Sequence, residues 1–122
     1  MNAVEIEEAI SALAEKQFDA ETFPYEFLEA FGNKAATIKR LRSGNTNKSD
    51  VDGVLQTNNI HILACDEGNV TASLDSLRNS PATTKAKAKF ILATDGIDFE
   101  AENIASGETV ACEYTKFPDH FG

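Results

Sequence analysis

A chain of 122 residues suffices for one domain that buries roughly two-thirds of its unfolded surface around a single core, and leaves no room for a second. With 42% hydrophobic and 25% charged residues it has the composition of a folded globular protein, which excludes a disordered segment. Eleven basic against twenty acidic side chains leave a net charge of −9, a field that repels phosphate at long range.

The apolar positions Ile6, Ile10, Leu13 and Phe18 recur near helical spacing, with Glu5, Glu7, Glu8 and Glu15 mostly outward, and predict an amphipathic helix over 2–17 that packs on the core. Residues 19–24 break the pattern, and Pro24 suits the first turn of a second helix. In that helix Tyr25, Phe27, Leu28 and Phe31 form an aromatic wedge, and Gly32 is its C-cap. A third helix over 35–42 turns Ile38 and Leu41 inward and leaves Lys39, Arg40 and Arg42 in solvent. Residues 43–49, SGNTNKS, are turn formers whose hydroxyls and amides either contact phosphate or cap their own backbone.

Val54, Ile60, Ile62 and Leu63 then predict a strand, or a hairpin broken near residues 57–59. A helix over 67–79 follows, with Val70, Leu74 and Leu77 on one face and Pro81 beyond its end. The run TTKAKAKFILAT, 83–94, alternates lysine with alanine and then turns wholly apolar, as a strand does on passing from an exposed end into a covered centre. Asp95-Gly96 marks a turn, 97–104 and 108–114 read as two antiparallel strands, and 116–122 as irregular. The expected class is α/β, more strictly α+β: a small mixed sheet with the N-terminal helices packed on it. The ending FPDHFG, with neither polar tail nor helix stop, suggests an N-terminal piece of something longer.

The net charge is unevenly spread. Nine of the eleven basic residues lie in two acid-free windows, 34–48 and 78–89, whereas eight of the twenty acidic residues precede Gly32. If the windows meet in space, one face is basic, and Lys39, Arg40, Arg42, Asn47, Lys48, Lys85 and Lys87 are the candidates for contacting the phosphates of duplex DNA. No stretch approaches the ~20 apolar residues of a membrane span and the N-terminus lacks a secretion signal, so a cytoplasmic protein without a membrane partner is expected.

Catalytic patterns are scarce. A PD-(D/E)xK nuclease needs an Asp at the start of one strand and Glu-x-Lys on the next, so that two carboxylates hold Mg²⁺ and the lysine polarises water. Asp50 or Asp52 could supply the first carboxylate, yet no ExK or DxK triplet occurs, and the following segment, GVLQTNNIHIL, offers amides such as Asn58 and one histidine, His61. Neutral amide oxygens do not draw a hard divalent cation, so no metal site and no nuclease activity are expected. His61 lies between Ile60 and Ile62 without triad spacing and reads as structural. Cys65 and Cys112 read as reduced, buried thiols. Dinucleotide and phosphate-loop fingerprints and the Asn-Pro-Pro-aromatic tetrad are absent, so no cofactor is expected in this domain.

Taken together, FLEAFGNKAATIKRLRSG, SDVDGVLQTNNIHILAC and FILATDGIDFEAENIASGETVACEYTKFPDHFG resemble the N-terminal domain of MmeI-like DNA methyltransferases, the single-chain restriction-modification type. The resemblance implies a restriction-endonuclease-like fold, followed in the parent protein by a helical linker, an adenine-specific methyltransferase using S-adenosylmethionine, and a target-recognition domain. In active members Glu-x-Lys would fall around residues 55–62, where neither type occurs here. The resemblance therefore implies a vestigial nuclease site at Asp50, Asp52, Asn58 and His61. Three roles follow: a silent domain that helps the parent enzyme hold duplex DNA, a structural module docked on the rest of the methyltransferase, or a residual Mg²⁺-dependent endonuclease.

Overall fold

The computed structural model describes residues 2–120. Helix α1 (Ala3–Glu15) begins where the Asn2 side chain accepts the Glu5 N–H at 2.9 Å, and it buries Ile10 and Leu13 as their spacing predicts. It ends two residues earlier than expected, which frees Phe18 to pack edge-on against Tyr114 with ring centroids 5.3 Å apart. Helix α2 (Phe23–Ala30) carries Pro24 in its first turn and buries Phe27 and Leu28. Beyond it, Asn33 N–H reaches Leu28 O and Gly32 N–H reaches Glu29 O, so Gly32 closes the helix as predicted. Helix α3 (Ala35–Arg42) buries Leu41, half-buries Ile38 and exposes Lys39 and Arg40.

Five strands form one mixed sheet in the order β1 (Val54–Leu55), β2 (Ile60–Ala64), β3 (Phe90–Thr94), β4 (Asp98–Asn103) and β5 (Thr109–Glu113). All neighbours are antiparallel except β2 and β3, whose parallel pairing is bridged by α4 (Val70–Asn79) and the short α5 (Pro81–Lys85). One core, containing Ile10, Phe23, Phe27, Leu41, Ile62, Leu92 and Phe99, joins the N-terminal helices to one face of the sheet. A second, containing Val70, Leu74, Leu77, Ile91 and Ala93, joins α4 to the other. Because β3 is covered on both faces, FILA is an unbroken apolar run rather than an alternating one. The mixed α/β expectation, with helices packed on a small sheet, is met.

Other expectations are corrected. The lysine-rich half of 83–94 is not strand: α5 and a turn occupy it, and β3 begins only at Phe90. Helix α4 ends at Asn79 with Pro81 beyond its end, as expected, though it starts at Val70 rather than at residue 67; Pro81 also opens α5, since its fixed φ and missing N–H suit a first turn. The tail is not irregular: Tyr114–His120 form a 3₁₀ helix that buries Tyr114 and Phe117, while residues 121–122 lie outside the described ones. Cys65 and Cys112 are free thiols, but half-buried rather than buried. Among the described residues no helix is long and apolar enough to cross a membrane.

Candidate nucleic-acid interface

The strand-or-hairpin ambiguity resolves as a hairpin, and its tip is where the two basic windows meet. Gln56 N–H donates to Ile60 O at 3.0 Å, and Asn58 turns the chain at φ 62°, a region that asparagine tolerates better than most residues. Asn58 N–H then donates to Ala86 O at 2.8 Å and Lys89 N–H to Asn59 O at 2.7 Å, which stitches the tip to the segment after α5. From the other side, Lys48 N–H donates to Leu55 O at 3.2 Å and fixes the end of the first window to β1.

Two hollows adjoin at this tip. One, of about 260 Å³, is lined by Thr37, Arg40, Asn45, Lys48, Gln56 and Thr57, with Leu41 and Thr46; the other, of about 530 Å³, by Lys48, Thr57, Pro81, Ala82, Lys85 and Ala86. Lys48 and Thr57 line both, Arg40 lines the first and Lys85 the second, and no carboxylate is among the described residues lining either; that of Asp50 is bonded to Ser80 and to the backbone of Ala82 beside the second hollow. Among the described residues, Lys39, Arg40, Lys48, Lys85 and Lys87 have no ion-pair partner. Lys87 stands at φ 57° in the turn after α5, and Lys39 is exposed on α3.

Two other cations of the windows, Arg42 and Arg78, have partners of their own. Arg42 is exposed, as expected, and lies over the Tyr25 ring with its guanidinium carbon 4.7 Å from the centroid. Arg78, within the second window, is held by Asp75 and by Glu102 at 2.8 Å, so it adds little to a basic face. A further hollow beside α4 is lined by Asp98, Glu100 and Glu113 and repels phosphate.

Behind the groove, the loop that carries Lys48 is held by its own side chains. Asn47 donates through Nδ2 to Gly53 O at 3.0 Å and accepts at Oδ1 from Leu55 N–H at 2.9 Å and Ser49 N–H at 3.1 Å. Of the two roles open to SGNTNKS, Asn47 takes the internal one. Ser49 Oγ accepts from Gly53 N–H at 3.0 Å and Val51 N–H at 3.3 Å, and lies 2.7 Å from His61 Nε2. Thr83 Oγ1 lies 2.8 Å from His61 Nδ1 and donates to Leu77 O at 2.8 Å.

These contacts determine the tautomer of His61. The Thr83 hydroxyl proton is committed to Leu77 O, so Nδ1 must donate, and the Ser49 hydroxyl proton is then free to be donated to Nε2. The ring is neutral, fully buried and satisfied on both sides. Burial pushes its pKa down to about 4, against the opposing pull of the Asp50 carboxylate. Gly53 closes the frame: a Cβ there would run into the Ile62 carbonyl oxygen of β2. Gly53→Ala is expected to lower stability by about 1–3 kcal/mol, read from the urea midpoint.

The sequence profile described as MmeI, N-terminal domain, matches residues 1–122. The chain belongs to this family. The DNA methyltransferase A of Bacillus subtilis (strain 168) is 25% identical over 122 residues, which cover 99% of this chain and 14% of that relative. This MmeI N-terminal domain thus spans a small part of the length of the curated relative it matches. No solved structure matches it.

In this member of the MmeI family the four residues of the vestigial nuclease reading lie apart in role. Asp50 is exposed and accepts the Ser80 hydroxyl at 2.5 Å, a bond that holds its carboxyl below the ordinary aspartate range. Asp52 is exposed at φ 60°, Asn58 is exposed at the hairpin tip, and only His61 is buried. Among the described residues no three His, Cys, Asp or Glu side chains gather to hold a metal. Ser49 was legible among the turn formers open to capping their own backbone, as it does here, but sequence reasoning missed its contact with His61, and it missed Thr57, Thr83 and Ser80. Pro81 at a first helical position was the signal that would have put Thr83 on a helix facing β2.

Proposed function

We propose that this domain is a non-catalytic, nuclease-derived part of a cytoplasmic MmeI-like DNA methyltransferase, and that it helps the parent enzyme hold duplex DNA. One observation carries the reading: in a chain of net charge −9, Arg40 and Lys48 line one hollow and Lys48 and Lys85 the adjoining one, with no carboxylate among the described residues lining either, and together they are read as one basic groove. Such a groove concentrates positive potential against a negative body, and phosphate is its natural occupant. Lys39 and Lys87 extend the basic rim. Thr57 and Asn58 at the tip offer neutral donors to the same backbone, a kind of contact that positions a duplex without reading its sequence. The methyl transfer to adenine, with S-adenosylmethionine, belongs in this reading to other domains of the parent restriction-modification protein.

The test is a titration of duplex DNA at rising salt. Affinity is expected to fall steeply with salt. Arg40→Ala, Lys48→Ala and Lys85→Ala are each expected to reduce the log–log salt slope by about 1, and the triple variant to bind at least ~10-fold more weakly at low salt with its thermal midpoint unchanged. Plasmid DNA with Mg²⁺ or Mn²⁺ is expected to stay intact; cleavage that Asp52→Ala abolishes would favour a residual endonuclease. The apolar wall formed by Pro81, Ala82 and Ala86 supports a second reading, docking on the remainder of the methyltransferase. A triple variant that binds DNA as the parent chain does would favour it.

A further inference from the structure

We propose that His61 is the positioning residue of the basic groove, setting the separation at which Lys48 and Lys85 meet two phosphates. The proposal rests on the DNA-holding reading above. Lys48 precedes Ser49 on the loop, and Lys85 follows Thr83 by two residues on α5. The imidazole touches Ser49 Oγ with one nitrogen and Thr83 Oγ1 with the other, at 2.7 and 2.8 Å. A single buried ring on β2 therefore spans the two segments that bring the cations to the groove, although it is fully buried and contacts no ligand.

The physical consequence is preorganisation. A lysine on a loop already held in place binds phosphate without the entropy cost of ordering the loop, whereas a released loop must be ordered when DNA arrives. Asp50, which accepts the Ser80 hydroxyl at 2.5 Å, is a second link of the loop to the start of α5, so loss of the ring contact loosens the position of Lys48 without removing it from the groove. Cutting the His61 contacts should thus lower affinity while leaving the number of phosphate contacts, and so of released counterions, the same.

Duplex titrations with the 122-residue chain test this. Ser49→Ala and Thr83→Val are each expected to weaken binding about three- to tenfold with the salt slope unchanged, and Ser49→Thr, which keeps the hydroxyl, to restore it. Lys48→Ala and Lys85→Ala differ in lowering the slope as well. If Ser49→Ala and Thr83→Val bind as the parent does while the lysine variants weaken, positioning by His61 is wrong and the groove stands. If the parent chain shows no salt-dependent binding, the groove reading falls and this proposal falls with it. The ring nitrogens of the parent chain give a check that needs no variant to fold. Nitrogen-15 shifts should report His61 protonated at Nδ1, and a proton on Nε2 would overturn the proposal.

Discussion

Between pH 6.5 and about 4 the domain is expected to lose roughly 3 kcal/mol of folding stability through His61, and His61→Gln is expected to remove that part of the pH dependence. The sign follows from which state holds the proton. In the unfolded chain the ring takes a proton near its ordinary value of 6.5, while in the fold burial holds it neutral down to about 4. Within that window the unfolded state binds more protons, so stability is present above 6.5 and is lost as the pH falls. Geometry gives the cause: a proton on Nε2 would confront a Ser49 oxygen that already accepts two backbone N–H groups, in a site sealed from water. The nearby Asp50 carboxylate favours the charged ring, but it is exposed and does not outweigh burial.

Urea midpoints at half-unit pH steps give the measurement, with the wild-type curve read against His61→Gln. Asp50 adds a loss of the same sign, but only below the ordinary aspartate range, where the Ser80 hydroxyl keeps it ionised. The difference between the two curves above pH 4.5 therefore isolates the ring. Parallel curves through the window would mean that the imidazole titrates as it does in water, and the buried network would have to be abandoned.

The helices that bury one face were legible because each presents a stripe, Ile10 with Leu13, Phe27 with Phe31, and Leu74 with Leu77, that a helix aligns. The two lysine windows were legible as charge but not as shape. Their convergence depends on the hydrogen bonds that Asn58 N–H donates to Ala86 O and that Asn59 O accepts from Lys89 N–H, between residues 28 and 30 apart in the chain, and local sequence does not carry such information. In 83–94 the alternation of lysine with alanine imitates a half-exposed strand. The pair that decides the matter is Thr83 with Ala86, three apart and both buried on α5 and its C-cap. Asn47 misled for a related reason: an amide in a loop rich in turn formers is as well suited to its own backbone as to phosphate, and here three backbone groups claim it.

The largest loss of stability is expected from Phe117→Ala, about 3–5 kcal/mol, a substantial share of the ~5–15 kcal/mol typical of a domain this size. Phe117 is fully buried, stacked on Phe99 of β4 with centroids 4.7 Å apart and planes 6° from parallel. It meets Phe23 edge-on at 6.3 Å and Tyr114 at 5.3 Å, so it bridges the sheet to α2. Truncation to alanine removes these contacts and leaves a cavity between elements that the backbone holds apart. The thermal midpoint should fall by at least ~10 °C, and a loss under about 1 kcal/mol would mean that the 3₁₀ helix is peripheral to the core. Phe117 packs in the core on the face covered by the N-terminal helices, whereas His61 faces α5 on the opposite face. Below its midpoint Phe117→Ala should therefore bind duplex DNA as the parent does, while Ser49→Ala should lose affinity, so the two variants separate holding the domain together from holding its groove in shape.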